Sequence, residues 1–164
     1  MTVTTDSPRD AAEPTVAALV TMLQAGALAT VAFDFFGQAL SPGLDFSRLA
    51  PVGLATQVWQ ALTGASWSPA GHALHYLAGL IAYPAGWLFV ARPLSRLVAP
   101  GLHWAGPAIL YGVALWAFAL YVVAHLVAGN PPFLGFAGIA WVALAGHVLY
   151  ALVTAGVSEA RASR

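Results

Sequence analysis

The chain contains no cysteine, which excludes disulfides, thiolate metal sites and cysteine nucleophiles. It contains no lysine either, and its few arginines are scattered. The clustered basic surface that nucleic-acid binding requires is therefore missing. Charged residues make up only 7% of the sequence, against about a quarter in soluble globular domains. No Asp, Glu or Arg interrupts residues 49–91 or residues 97–158. Signatures of nucleophilic or metal-assisted catalysis are lacking too: there is no G-x-S-x-G, no phosphate-cradling glycine loop and no H-E-x-x-H. What remains is 60% hydrophobic in 164 residues, more apolar surface than a soluble core of that size can cover. The sequence specifies an integral membrane protein.

The uncharged runs resolve into four spans of roughly the 20 residues that a bilayer crossing takes. They fall at about residues 15–40, 69–91, 106–128 and 133–157. Pro14 precedes the first, "SPG" (residues 41–43) closes it, Pro84 predicts a kink in the second, and "GNPP" (residues 129–132) makes a hairpin before the fourth. Outer-membrane barrel strands would show short alternating segments instead. The expected fold is an all-α four-transmembrane-helix bundle, one domain over residues 15–157. A flexible N-terminal tail (1–14), with none of the basic-then-apolar pattern of a secretory signal, precedes it, and a C-terminal tail (158–164) follows. Between the first two spans, residues 48–67 place Leu54, Val58, Ala61 and Leu62 on one helical face. That pattern, with Trp59 and Trp67 beside it, predicts a short interfacial helix.

Arginine counts set the orientation. With both termini inside, Arg9, Arg92, Arg96, Arg161 and Arg164 lie on the inner side and Arg48 alone on the outer. The positive-inside rule then predicts a multi-pass protein of a bacterial inner membrane with cytoplasmic N- and C-termini. Trp87 and Trp104 would mark the inner interface.

Ionisable and amide side chains inside spans are costly and are functional candidates by default. Asp34 and Gln38 share a face of span one, His72 and His75 share a face of span two, His125 ends span three, and His147 lies within span four. In the expected orientation Asp34, Gln38, His72, His75 and His125 fall in the outer half of the membrane and His147 somewhat deeper, one polar layer from four helices, while His103 stands apart beside Trp104. Three accounts of that layer compete. It can be structural, with side chains bonding across helices. It can hold a metal ion or a b-type haem, with His72, His75, His125 and Asp34 as candidate ligands, because imidazole is the commonest biological ligand and two facing histidines supply both axial positions. It can also form a quinone, lipid or proton-relay pocket.

A glycine–histidine pair occurs twice, as "AGHALHY" (residues 70–76) and "AGHVLY" (residues 145–150), each after a tryptophan. The glycine would let a neighbouring helix approach and the histidine would bond across that contact. The same stretches, together with "HLVAGNPPFLG", resemble the YagU-type group of small bacterial inner-membrane proteins of unknown function. The resemblance covers roughly residues 66–155, singles out His72, His147, Pro131 and Pro132, leaves Asp34 unmatched, and implies a helical membrane fold without naming an activity.

Taken together, these features favour a non-catalytic membrane protein that works by helix packing, as a self-associating bundle or as an accessory subunit of a larger complex. A haem- or metal-binding electron-transfer protein is one alternative. A small oligomeric transporter or a quinone- or lipid-binding protein is another.

Overall fold

The structure, a computed structural model, describes residues 8–162, with side chains from Val16 onward. The first helix, α1, begins at Pro8 and continues through Gly43. After a loop come α2 (Pro51–Thr63), α3 (Ser68–Val98), α4 (Ala105–Val127) and α5 (Gly138–Ala162). Four of these, α1, α3, α4 and α5, are long and apolar enough to cross a membrane. Among the described residues there is no strand. The fold is the all-α bundle expected from the uncharged runs.

Element boundaries differ from the expected ones where local chemistry is unusual. Of the tail expected over residues 1–14, residues 1–7 lie outside the described residues, and the helix already begins at Pro8. The fourth span starts at Gly138 and not at residue 133, and it stays helical to Ala162. The reason is a left-handed turn: Phe133, Leu134, Gly135 and Phe136 all have positive φ (50°, 53°, 67° and 53°). That conformation costs roughly 1–2 kcal/mol for each residue other than glycine. An aromatic cluster offsets the strain. The Phe133 ring lies 4.9 Å from Trp116, 5.6 Å from Tyr121 and 5.1 Å from Phe136. The Trp116 indole donates to the Ala140 carbonyl at 2.9 Å, tying α4 to the start of α5.

Prolines shape α1 and α3 in one repeated way. A proline inside a helix lacks an N–H and pushes against the carbonyl four residues before it. Here the turn before each of Pro42, Pro84 and Pro93 widens into a π-helical turn, so that Ser41, Tyr83 and Arg92 donate to the carbonyl five residues back, those of Phe36, Ala78 and Trp87. The carbonyls of Gly37 and Gly79 consequently lose their α-helical donor, and the next amide in register belongs to a proline. Both are taken up from outside the helix. The Leu49 amide donates to Gly37 at 2.8 Å, and the Tyr150 hydroxyl donates to Gly79 at 2.6 Å. The kink expected at Pro84 is thus a widened turn that offers a bonding site to α5.

Glycines set two close crossings. A Cβ on Gly26 of α1 would meet the Leu80 carbonyl of α3 at 2.7 Å, and one on Gly112 of α4 would meet Val148 Cα of α5 at 2.6 Å. Small residues let backbones approach where lipid supplies no hydrophobic drive. Helix α5 is the central element, packed along both α1 and α4.

Three arginines and Glu159 gather at one end. Arg92 Nε donates to Glu159 at 2.7 Å, Arg96 reaches the other carboxylate oxygen at 3.2 Å, and Arg161 donates to Thr21 and Gln24 of α1 at 2.8 and 2.6 Å. Trp104 lies at this end, half-buried. Trp87, expected at the interface, is only 1% exposed and packs 5.7 Å from Tyr111. Its indole belongs to the core, because the face of α3 that carries it turns toward α4 and α5. At the opposite end, α2 packs on both α3 and α4. Leu54 and Val58 of its expected apolar face turn into the bundle, while Ala61 and Leu62 remain exposed.

Candidate functional site

Helices α3 and α4 meet near the arginine-bearing end, at Trp87–Ala91 and through a 2.6 Å hydrogen bond from the Tyr111 hydroxyl to the Tyr83 carbonyl. Beyond Tyr83 they diverge, and α2 bridges the gap at the far end. The divergence leaves a cavity of about 520 Å³ with walls from α1, α3, α4 and α5 and a roof from α2. Its wall is mostly alanine, leucine and aromatic rings, with Ala78, Ala82, Ala119 and Ala143 among them. Exposed Ala82 and Phe118 mark its mouth on the lipid-facing side, between α3 and α4.

A small set of polar groups lines this space. His147 of α5 is 6% exposed. Its Nδ1 lies 2.7 Å from the Ala143 carbonyl one turn earlier. A carbonyl only accepts, so Nδ1 carries the proton and Nε2 of the neutral ring is an acceptor with no partner among the described residues. The ring is held edge-on to Phe33 at 5.1 Å and beside Tyr83 at 6.5 Å. Tyr83 also lines the cavity, and its hydroxyl has no hydrogen-bond partner among the described residues. Tyr150, packed edge-on to Tyr83 at 5.8 Å, is held by its bond to Gly79. Thr30 of α1 completes this floor, buried and with an unpartnered hydroxyl.

The six polar residues singled out from the sequence are not joined by one hydrogen-bond network. They separate into four groups. Asp34, Gln38 and His75 come together: His75 Nε2 lies 3.1 and 3.2 Å from the two Asp34 oxygens, and Gln38 donates to Asp34 at 3.0 Å. His75 is the only one of the three that reaches the cavity wall. His125 points to the connection after α4, where its Nδ1 donates to the Asn130 carbonyl at 2.7 Å and its ring packs on Tyr121 at 5.5 Å. Asn130 in turn donates to Gln57 of α2 at 3.0 Å and to the Ala124 carbonyl at 3.1 Å, fastening the roof. His147 lies on the cavity floor. His72 is exposed and stacks on Tyr76 at 6.2 Å. His103, apart as expected, is exposed beside Trp104.

Both repeated glycines sit against a neighbour, Gly71 against Thr56 of α2 and Gly146 against Phe33 of α1. Neither following histidine bonds across that contact. Successive helical residues point about 100° apart. A glycine facing the neighbour therefore turns the next side chain away, to the outside for His72 and into the cavity for His147.

Among the described residues, no three His, Asp or Glu side chains converge to hold a metal ion. No hydrogen bond or ring contact joins His125 to His72 or His75, and Asp34 with His75 supplies only two donors. Asn130, Gln57, Thr30, Tyr83 and Tyr150 carry much of the site and were not singled out beforehand. Asn130 follows a glycine and precedes two prolines, so it read as a turn residue. No family model matches the chain, and no curated protein or solved structure matches it either.

Proposed function

We propose that this chain is a non-catalytic, multi-pass protein of a bacterial inner membrane, with both termini cytoplasmic, that binds a neutral hydroxyl-bearing lipophile between its helices. The cavity floored by His147 carries the proposal. Protein interiors are packed to crystal density. A gap of this size between helices leaves its lining without the dispersion contacts that packing supplies elsewhere in the bundle. The gap opens toward lipid, so a molecule entering from the membrane can fill it.

The polar groups say what kind of molecule. A bare acyl chain entering from lipid would leave His147 Nε2 without a donor and Tyr83 without a partner. A phenol, quinol or long-chain alcohol would donate to the imidazole, accept from the tyrosine, and lay its chain along the alanine-lined walls toward the mouth. The volume lies within the roughly 300–1,000 Å³ of small-molecule sites, where an apolar wall with a few placed polar groups is the rule. The inward orientation is supported by Arg92, Arg96 and Arg161 at one end against Arg48 at the other. Membership of the YagU-type group, on the short glycine–histidine and proline-hairpin motifs, belongs to the same proposal.

The test compares 4-nonylphenol with its methyl ether, which keeps the shape and loses the donor. Saturating phenol is expected to raise the melting temperature of the detergent-solubilised protein by about 5 °C or more, and the ether by less than half as much. His147→Phe should erase the difference between the two. Equal shifts from phenol and ether in the wild-type protein would sink the assignment of His147 as the acceptor.

A further inference from the structure

At the end opposite the lipophile cavity, a smaller pocket of about 240 Å³ lies between the C-terminal part of α3, the start of α4 and Glu159 of α5. Two of the residues that line it, Trp87 and Arg92, each carry a buried donor with no partner among the described residues: the indole N–H of Trp87, in a side chain 1% exposed, and Nη2 of Arg92. A third donor follows from a tautomer. His103 Nδ1 accepts the Ala105 amide at 3.3 Å, so in the neutral ring the proton resides on Nε2. Arg96, with its side chain 60% exposed, adds a cation at the rim. The carboxylate of Glu159 is already engaged, at 2.7 Å by Arg92 and 3.2 Å by Arg96. The unused hydrogen-bonding capacity of the pocket is thus one of donors, and its side-chain charge is two arginines against one glutamate.

We propose that this pocket binds a phosphate oxyanion, supplied by the headgroup of an acidic phospholipid or by free phosphate. A phosphate brings only acceptors and negative charge, which matches what Trp87, Arg92 and His103 leave open. Basic pockets between transmembrane helices at the charged face of a membrane suit such headgroups. Exposed Leu102 on the rim and Leu97 beside Arg96 offer apolar surface for the attached chains. Glu159 acts as an internal competitor: it holds the two guanidinium groups in place and takes part of their charge. The site is independent of the proposed lipophile cavity, and either can fail without the other.

Native mass spectrometry of the full chain in detergent, titrated with dioleoyl-phosphatidylglycerol and with dioleoyl-phosphatidylcholine, reads the site directly. The glycerol lipid is expected to bind about tenfold more tightly. Arg96→Gln, at an exposed position that does not endanger folding, should weaken it about fivefold, the worth of one arginine near a membrane surface. Glu159→Gln should strengthen it by a similar factor, because the competing carboxylate is gone. Trp87→Phe should weaken it, because one of the phosphate's donors is gone. Displacement of the bound lipid by millimolar inorganic phosphate would identify free phosphate as the natural source, and resistance to it would identify the lipid headgroup. Equal binding of the two lipids, or Arg96→Gln and Glu159→Gln shifting affinity in the same direction, would overturn the proposal.

Discussion

Gly112→Leu is expected to prevent the bundle from forming, and Gly112→Ala to destabilise it by roughly 2–3 kcal/mol, the upper range for overpacking a tight core. The cause is specific to this crossing. The new Cβ would lie 2.6 Å from Val148 Cα and 2.8 Å from the His147 carbonyl. Both are backbone atoms, so no side chain can rotate to make room and α5 must move away from α4. Separation at that level also displaces His147 from the cavity floor. Unfolding of the Ala variant in mixed micelles, followed by circular dichroism, measures the loss. A loss below 0.5 kcal/mol would mean that the two helices are not in backbone contact at this point. Gly43, with open space around its Cβ position, is the matched control and should tolerate alanine.

Ala78→Phe is expected to do the reverse for stability while abolishing binding. Ala78 lies on the cavity wall, in the widened turn before Pro84. A ring placed there occupies the space assigned to the lipophile and gains dispersion contacts with walls that are otherwise unfilled. The melting temperature should hold or rise by up to about 3 °C, since 1 kcal/mol is worth roughly 2–4 °C in a domain of this size. Affinity for 4-nonylphenol should fall at least tenfold. This pairing separates a binding site from a packing defect. Were the position ordinary core, an added ring would lower stability through strain.

The spans were legible in the sequence because uninterrupted apolar runs have no other physical solution in a chain this short. The pairing of Asp34 with Gln38 was legible for a related reason: residues four apart on a helix are neighbours wherever that helix goes. The partner of Asp34 on α3 was not. His72 and His75 share a face three residues apart, and the choice between them depends on how α1 lies against α3, which Gly26 and the turn before Pro84 decide in three dimensions. His147 was visible as an intramembrane histidine, but its tautomer and its direction follow from the Ala143 carbonyl and from Gly146 facing Phe33.

The cavity itself was the least legible feature. Alanines at 78, 82, 119 and 143 are the kind of small residue that close helix packing also calls for, and elsewhere in the bundle small residues do serve that purpose. Here α3 and α4 diverge beyond Tyr83, and the same small side chains face an open space. Composition cannot tell a contact from a gap, because both call for little side-chain volume. The roof has a similar history. Asn130 and Gln57 lie far apart in sequence and meet because α2 packs over the end of α4, to which Asn130 is bonded at the Ala124 carbonyl.

The most direct test of the account is native mass spectrometry of the protein released from its own membranes in the mildest detergent that frees it. The expected spectrum shows one neutral adduct per chain, with a hydroxyl group and a long apolar chain in its fragmentation, lost from Ala78→Phe and weakened in His147→Phe. A spectrum free of any such adduct under conditions that preserve the fold, or an adduct that survives Ala78→Phe unchanged, would contradict it.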